Sequence, residues 1–188
     1  MRNIWMLVWL MAVLNLSACG AAEAVSAQDA VAAESAARSK TMELEFVAGG
    51  QVKSAPASLY LGDGYSIYIP DTGWMSERER EDGIPEDIWE SVTDDEVQIS
   101  VSHYKGIPAA EAVTVFLEEH DDFVFQELLL DYSEAKEPLE GVDEDGDVLK
   151  FILRSGVGDT YIVSWEYRDA LGAAASQAEQ MVRTFALT

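Results

Sequence analysis

The sequence contains little of what most enzymes and nucleic-acid-binding proteins need. Among 188 residues there are one cysteine, two histidines and only 12 lysines and arginines, against 35 acidic residues. A single cysteine excludes an intramolecular disulfide, so the fold must be stable through its core alone. The net charge of −23 makes electrostatic attachment to nucleic acid or anionic lipid unfavourable. It suits basic partners or loosely held divalent cations, and it also serves solubility alone.

Catalytic motifs are missing as well. The chain has no Gly-x-Ser-x-Gly elbow, no Walker loop and no His-Glu-x-x-His pair. His103 continues the apolar face of a predicted strand, which is typical of a hydrogen-bonded core or rim residue. His120 falls where a predicted helix ends, and a polar ring there suits the helix dipole. The sequence therefore predicts a protein that is not an enzyme and has no cofactor.

The cysteine, Cys19, follows Leu16-Ser17-Ala18 at the end of an apolar N-terminal segment that starts after Arg2. The apolar run is too short to cross a bilayer, which takes about 20 residues. Its end resembles the lipobox of bacterial lipoproteins. This resemblance implies that residues 1–18 are a removed signal peptide and that acyl chains on Cys19, palmitate among them, hold the protein on the extracytoplasmic face of the cell membrane. An ordinary secretory signal is the alternative interpretation.

The rest of the chain divides into a linker and one domain. Residues 19–41 are rich in alanine and predict a flexible tether. Residues 42–188 predict an α+β domain with a largely antiparallel sheet and two or three helices. Pro85 and Pro108 are each expected to open a helix, and a last helix starts near Ala170. The apolar stretch 123–132 has no clean period, so strand and helix both stay open there. Apolar alternation and turn residues predict strands at 42–47, 51–61, 65–69, 97–104, 148–154 and 161–168.

The order of these elements resembles a known superfamily. A strand Gly64-Tyr65-Ser66-Ile67-Tyr68-Ile69-Pro70 is followed by Trp74, a central helix, paired late strands and a final helix running into Thr184-Phe185-Ala186-Leu187. This order is similar to that of PsbP-like α/β/α sandwiches, which include small bacterial lipoproteins. The resemblance covers about residues 42–188. It implies a protein-binding or assembly role, with no catalytic residues to transfer.

Two acidic segments are considered as metal sites. Residues 118–122, Glu-Glu-His-Asp-Asp, hold hard donors beside one imidazole, but neighbours on a helix point in different directions. Residues 143–147 resemble a calcium loop, but Gly141 and Ile152 would then occupy ligand positions that require side-chain oxygens. A hairpin turn explains 143–147 better. No metal site is therefore expected.

Aromatic residues near the acidic stretch 71–95 are the remaining candidates for binding. Tyr68, Trp74 and Trp89, framed by carboxylates, could contact a cationic or sugar-like ligand or a basic protein surface. Core filling beneath a long loop is the alternative. Lys150, Arg154 and Arg168 are expected to serve as local counter-charges. The function predicted from these features is a non-catalytic, membrane-anchored module that binds a protein or envelope component, with small-molecule or metal-ion binding for a membrane complex as the alternative.

Overall fold

The computed structural model describes residues 38–81, 83–125 and 138–188. A first antiparallel sheet has four strands in the order β1-β2-β3-β11. Alternating apolar residues place Leu44 and Phe46 of the first strand inward and their acidic neighbours outward. The strands are β1 Thr41–Ala48, β2 Gln51–Leu61, β3 Tyr65–Pro70 and β11 Ala186–Leu187.

A second antiparallel sheet has seven strands in the order β4-β5-β6-β10-β9-β8-β7. β4 and β5 form a hairpin at one edge, and β10 lies in the middle between β6 and β9. The strands are β4 Trp74–Glu81, β5 Ile84–Ser91, β6 Gln98–Tyr104, β7 Val124–Phe125, β8 Leu139–Val142, β9 Val148–Ser155 and β10 Thr160–Tyr167.

In the described part of the chain, two helices cover parts of these sheets. Helix α1, Ala109–Glu119, packs Val113 and Phe116 on the outer face of the second sheet, over Phe151. Helix α2, Ala173–Arg183, packs against strands of both sheets. The larger core lies between the two sheets and α2, where apolar side chains from all three meet, among them Ile67, Ile99, Val163, Trp165 and Met181. The inner face of the second sheet therefore carries the larger core, and α1 covers only part of its outer face.

Arg38 fastens the beginning of the described chain to two distant segments. Its guanidinium donates to the carbonyl and hydroxyl of Ser66 at 3.2 and 2.6 Å and to the carbonyl of Thr184 at 2.5 Å. Its charge also lies 4.7 Å from the centre of the Tyr68 ring. Hydrogen bonds from a charged donor are stronger than neutral ones. The segment before β1 is therefore held against β3 and the turn after α2.

The α+β class with mostly antiparallel sheets is confirmed. Alternation located six of the strands within a residue or two, and Pro108 indeed lies just before α1. The helix expected from Pro85 is wrong. Pro85 lies in β5, whose residues pair with β4 on one side and β6 on the other. The stretch 71–95 is consequently a hairpin rather than a long loop.

Other predictions fall partly or wholly outside the described residues. Cys19 and the signal peptide lie there, as does nearly all of the alanine-rich tether and positions 126–132 of the unassigned stretch. Val124 and Phe125 form the short strand β7. Within the described ranges, no helix combines the length and apolar character needed to cross a bilayer.

Candidate functional site

The outer face of the second sheet is apolar on one side and largely polar on the other. Under α1, β9 and β10 present Leu149, Phe151 and Ile162, and these pack on the helix. Beyond the helix, the same face of β10, β6 and β5 presents mostly polar side chains, with Ile162 at the border of the helix and Ile88 among them. Register places these side chains in rows, because directly paired residues of an antiparallel sheet share a face. The rows are Glu166, Gln98 and Glu90; Ser164, Ser100 and Ile88; and Ile162, Ser102 and Glu86.

The polar part of this face forms a cleft beside α1. The cavity has a volume of about 400 Å³, within the range of small-molecule sites. Phe116, Glu119 and His120 at the end of α1 form one wall, and the sheet residues form the floor and the other wall. Serine is small, so the middle of the floor is low while longer glutamates rise around it. The cleft thus results from where the helix stops and where the sequence places serine.

The three serines of the floor are buried and hydrogen-bonded. Ser100 and Ser164 join their hydroxyls at 2.8 Å across β6 and β10. Ser102 donates to a carboxylate oxygen of Glu86 at 3.0 Å. Each serine is only 5 or 6% exposed. Buried polar groups with partners of this kind fix a floor rigidly and cost little stability. The floor is preformed rather than adaptable.

The cleft is strongly acidic. Four glutamates line it, Glu86, Glu90, Glu119 and Glu166, and none of its described lining residues is lysine or arginine. Burial raises the pKa of Glu166, and the nearby carboxylates of Asp147, Asp122 and Asp143 raise it further. Both causes disfavour the ionised form. A cation entering the cleft would remove the repulsion, so the electrostatics favour a positively charged ligand.

The four carboxylates are spread along the cleft instead of converging on a point. Among the residues that the structure describes, there is no group of three or more His, Cys, Asp or Glu arranged to hold a metal ion. A single ion needs several oxygens at one centre. Separated carboxylates suit a ligand with several separated positive charges. The geometry therefore points to a polyamine-like ligand or a basic polypeptide.

The predicted aromatic residues lie elsewhere. Trp89 is 2% exposed in the larger core, with Tyr60 edge-on at 5.1 Å. Tyr68 is 5% exposed and donates its hydroxyl to the carbonyl of Ser39 at 2.6 Å. Trp74 is half-buried, and its indole nitrogen donates to Gln177 of α2 at 3.0 Å. The structure does not bring these rings together on one surface, and their contacts are those of packing.

The histidines lie where their patterns predicted. His103 is buried and stacks on Tyr161 at 4.4 Å, and Nε2 lies 3.2 Å from Oδ2 of Asp159. The backbone N–H of Gly106 lowers the pKa of Asp159, and the contact with His103 adds to this effect. His120 occupies the C-cap of α1. His103 therefore holds together the chain before α1 and the β9–β10 turn, whereas His120 faces the cleft.

Lys150 and Arg168 form local ion pairs, as predicted. Arg168 donates to both Asp147 and Glu96 at 2.6 Å. Lys150 pairs with Glu140 at 2.8 Å and lies 5.6 Å from the Tyr167 ring. Burial opposes the charge of Lys150, but the hydrogen bonds to Glu140 and Tyr167 outweigh it and raise the pKa of the amine. Arg154 differs, because it donates to the carbonyl of Leu153.

A second cavity, of about 570 Å³, lies between the β1–β2 turn, Trp165, Tyr167 and the start of α2. Its floor is apolar, and its two charged residues, Lys150 and Glu179, are paired with Glu140 and Arg183. Charges that are already paired offer little to a polar ligand. The acidic cleft is therefore the better candidate for a functional site.

The sequence pattern predicts part of the floor of the cleft, because it predicts the strand β6. Alternation in β6 places Gln98, Ser100 and Ser102 opposite the core residues. The helix expected at Pro85 includes Glu86, and the loop expected in 71–95 includes Glu90, but both residues lie in β5. The signal available was the pattern Glu86-x-Ile88-x-Glu90, which has the period of a strand.

Comparisons with known proteins add little to this site. No protein-family model and no curated protein matches the sequence. A solved structure from Bacteroides thetaiotaomicron is similar over 66% of this chain and 45% of its own, with 14% identity and a TM-score of 0.39. This chain thus spans less than half of that protein. The assignment of a function rests on the cleft.

Proposed function

We propose that this protein is a lipid-anchored, extracytoplasmic binding module with a PsbP-like domain, and that it is not an enzyme. The acyl chains on Cys19 hold it at the membrane, and the acidic cleft receives positively charged groups of a protein or another envelope component. The observation that carries the binding role is the row of separated glutamates over a rigid serine floor, with no lysine or arginine among the lining residues. The negative electrostatic potential of a preformed acidic cleft favours a positively charged partner.

A second candidate is a lipoprotein that binds a small cationic molecule or a metal ion and serves a membrane complex. The volume of about 400 Å³ favours it, because one small molecule fills a site of that size. A higher unfolding temperature on adding a small cation or a metal ion would favour this second candidate. A ligand that binds only the native state raises stability by RT ln(1 + [L]/Kd).

Calorimetric titration with spermine tests the cleft. We expect binding by the full-length protein in detergent, weakened by Glu90→Gln. The matched control is Glu43→Gln, an exposed glutamate of β1 in the other sheet, because both variants lose the same charge. If the two substitutions weaken spermine binding equally, the protein attracts cations only through its net charge and the cleft is not the site.

Proton release provides a second measurement from the same titration. A bound cation favours ionised Glu166, so it lowers the raised pKa of that carboxyl and releases protons. The apparent heat of spermine binding should therefore depend on the ionisation enthalpy of the buffer, and Glu166→Gln should reduce that dependence. A heat that is the same in all buffers, at every pH from 4.5 upwards, contradicts ligand contact at Glu166.

The anchor is tested separately by cross-linking in native membranes. We expect the wild-type protein in the membrane fraction and Cys19→Ala in the soluble fraction, because two or three acyl chains are needed for stable attachment. A partner cross-linked to the wild type should be reduced by Glu90→Lys and retained by Glu43→Lys. A Cys19→Ala protein that stays membrane-bound overturns the anchor.

A further inference from the structure

The four sheet edges in the described residues differ in how well they are protected. β7 and β11, each at one edge, have only two residues. β1 is longer, but it packs against α2, and its Val47 N–H donates to the hydroxyl of Ser176 at 2.9 Å. β4 has eight residues and pairs on one side only, with β5. An edge strand of that length offers a row of backbone donors and acceptors to another chain.

The outer face of β4 continues the acidic cleft. Met75 pairs with Glu90 and Glu77 pairs with Ile88, so the side chains of Met75 and Glu77 lie on the face that carries the cleft. Both are exposed, whereas Arg78 on the opposite face is bonded to Asp87. Neighbouring strands are about 4.8 Å apart. A strand added beside β4 would therefore place its outer side chains next to Glu77 and direct long ones towards the cleft.

A second copy of this chain is a poor match for this edge. Antiparallel pairing of β4 with itself about Glu77 would set this carboxylate against the same residue of the other copy. Like charges directly opposite one another destabilise a sheet. Lysine or arginine at alternate positions would reverse the sign of these contacts. The edge thus selects a chain with basic residues on one face.

Building on the proposed function, we propose that the partner is a protein segment that adds to the second sheet as a strand beside β4. Its backbone pairs with the outward N–H and C=O groups of that strand. Its basic side chains, at alternate positions, contact Glu77 and reach the carboxylates of the cleft. Main-chain hydrogen bonds supply affinity in this mode of recognition, and the alternate side chains supply specificity.

An octapeptide of alternating lysine and threonine is the probe, because threonine favours strands. We expect it to bind the full-length protein in detergent and to slow amide hydrogen exchange in β4. The same octapeptide with every backbone amide N-methylated keeps the charges but cannot donate to the edge. It should bind at least about tenfold more weakly.

Protein variants complete the test. Glu77→Lys should weaken the unmodified octapeptide about tenfold more than Glu43→Lys, which makes the same charge change on the other sheet. Equal binding of the two peptides, together with equal effects of the two variants, overturns strand addition. If Glu90→Gln still weakens binding in that case, the cleft keeps its proposed role. If Glu90→Gln is also without effect, both proposals fail.

Discussion

Arg78 and Asp87 face one another across β4 and β5, and two hydrogen bonds join them. Nε of Arg78 donates to Oδ1 at 2.6 Å and Nη2 donates to Oδ2 at 3.1 Å. The Tyr65 hydroxyl donates to the same carboxylate at 2.5 Å. Burial opposes the charge of Asp87, but the hydrogen bonds from Arg78, Tyr65 and Tyr60 outweigh it and lower the pKa of the carboxyl. This carboxylate fixes the edge hairpin to the core.

Asp87→Asn should lower the free energy of unfolding at pH 7 by about 1 to 3 kcal/mol, the cost of weakening a buried, charge-assisted network. A depressed pKa contributes stability that is fully present above the usual value of 3.8 and is lost as pH falls through the native value. The deficit should therefore shrink below about pH 4. Denaturant unfolding at pH 7 and pH 3 measures it, with Glu45→Gln as an exposed control. A deficit independent of pH contradicts this role of the charge.

Glu166→Gln should stabilise the protein at neutral pH. Because the pKa of Glu166 is raised, the native state holds its proton at pH values where the unfolded state has lost it, and stability falls as pH rises through that window. Above the window, the wild type carries an unfavourable charge that glutamine lacks. We expect a gain of about 0.5 to 2 kcal/mol. Thermal unfolding at pH 4 and pH 8 should show the gain only at the higher pH.

Alanine substitutions at Gly64 and Gly73 should distinguish the cost of backbone strain from the cost of steric overlap. Both have positive φ, 81° and 88°. A Cβ at Gly64 would lie 2.2 Å from the Tyr161 hydroxyl, which donates to the carbonyl of Asp63, whereas nothing lies within 4 Å at Gly73. Gly73→Ala should cost about 1 kcal/mol through strain alone. Gly64→Ala should cost about 1 kcal/mol more, through the displaced hydrogen bond. Equal losses in denaturant unfolding would mean that Tyr161 moves aside without cost.

Substitutions of Ser100 and Ser164 should have strongly non-additive effects on the free energy of unfolding. Either single alanine leaves one buried hydroxyl without its partner and should cost about 1 kcal/mol or more. The double alanine removes both groups, so we expect a smaller loss than the sum of the two single losses. A double-mutant cycle by denaturant unfolding gives the coupling. Additive losses would indicate that the two hydroxyls act independently.

Several strands could be predicted because apolar side chains alternate with polar ones along them. β6 alternates core residues such as Val101 with polar ones such as Ser100, so period two is visible in the sequence. β4 is an exposed edge strand with charged residues on both faces, and it has no such pattern. Pro85 and the acids after it favour a helix start locally. Pairing with β4 and β6 overrides that preference, and pairing partners are not visible in a local window.

The cleft could be predicted only in fragments. Burial on both faces of β3 explains why Tyr68 is inside despite its position opposite Ile67 and Ile69. Glu86 and Glu166 come together because β5 and β10 both flank β6, a neighbour relation between segments far apart in sequence. The point where α1 ends decides which part of the sheet stays open. These facts depend on strand order and register, which composition and periodicity do not determine.

The hydrogen bonds of Arg38 to Ser66 and Thr184 have a mechanical consequence. Tension that arrives along the chain from its N-terminal side meets the bonds to Ser66 and Thr184 before it can peel β1 away from β2. The load is then shared between β3 and the turn after α2, near the C-terminal end of the chain. The four-stranded sheet is thereby pulled as a unit. The β1–β2 hairpin at its edge stays paired until the hydrogen bonds of Arg38 break.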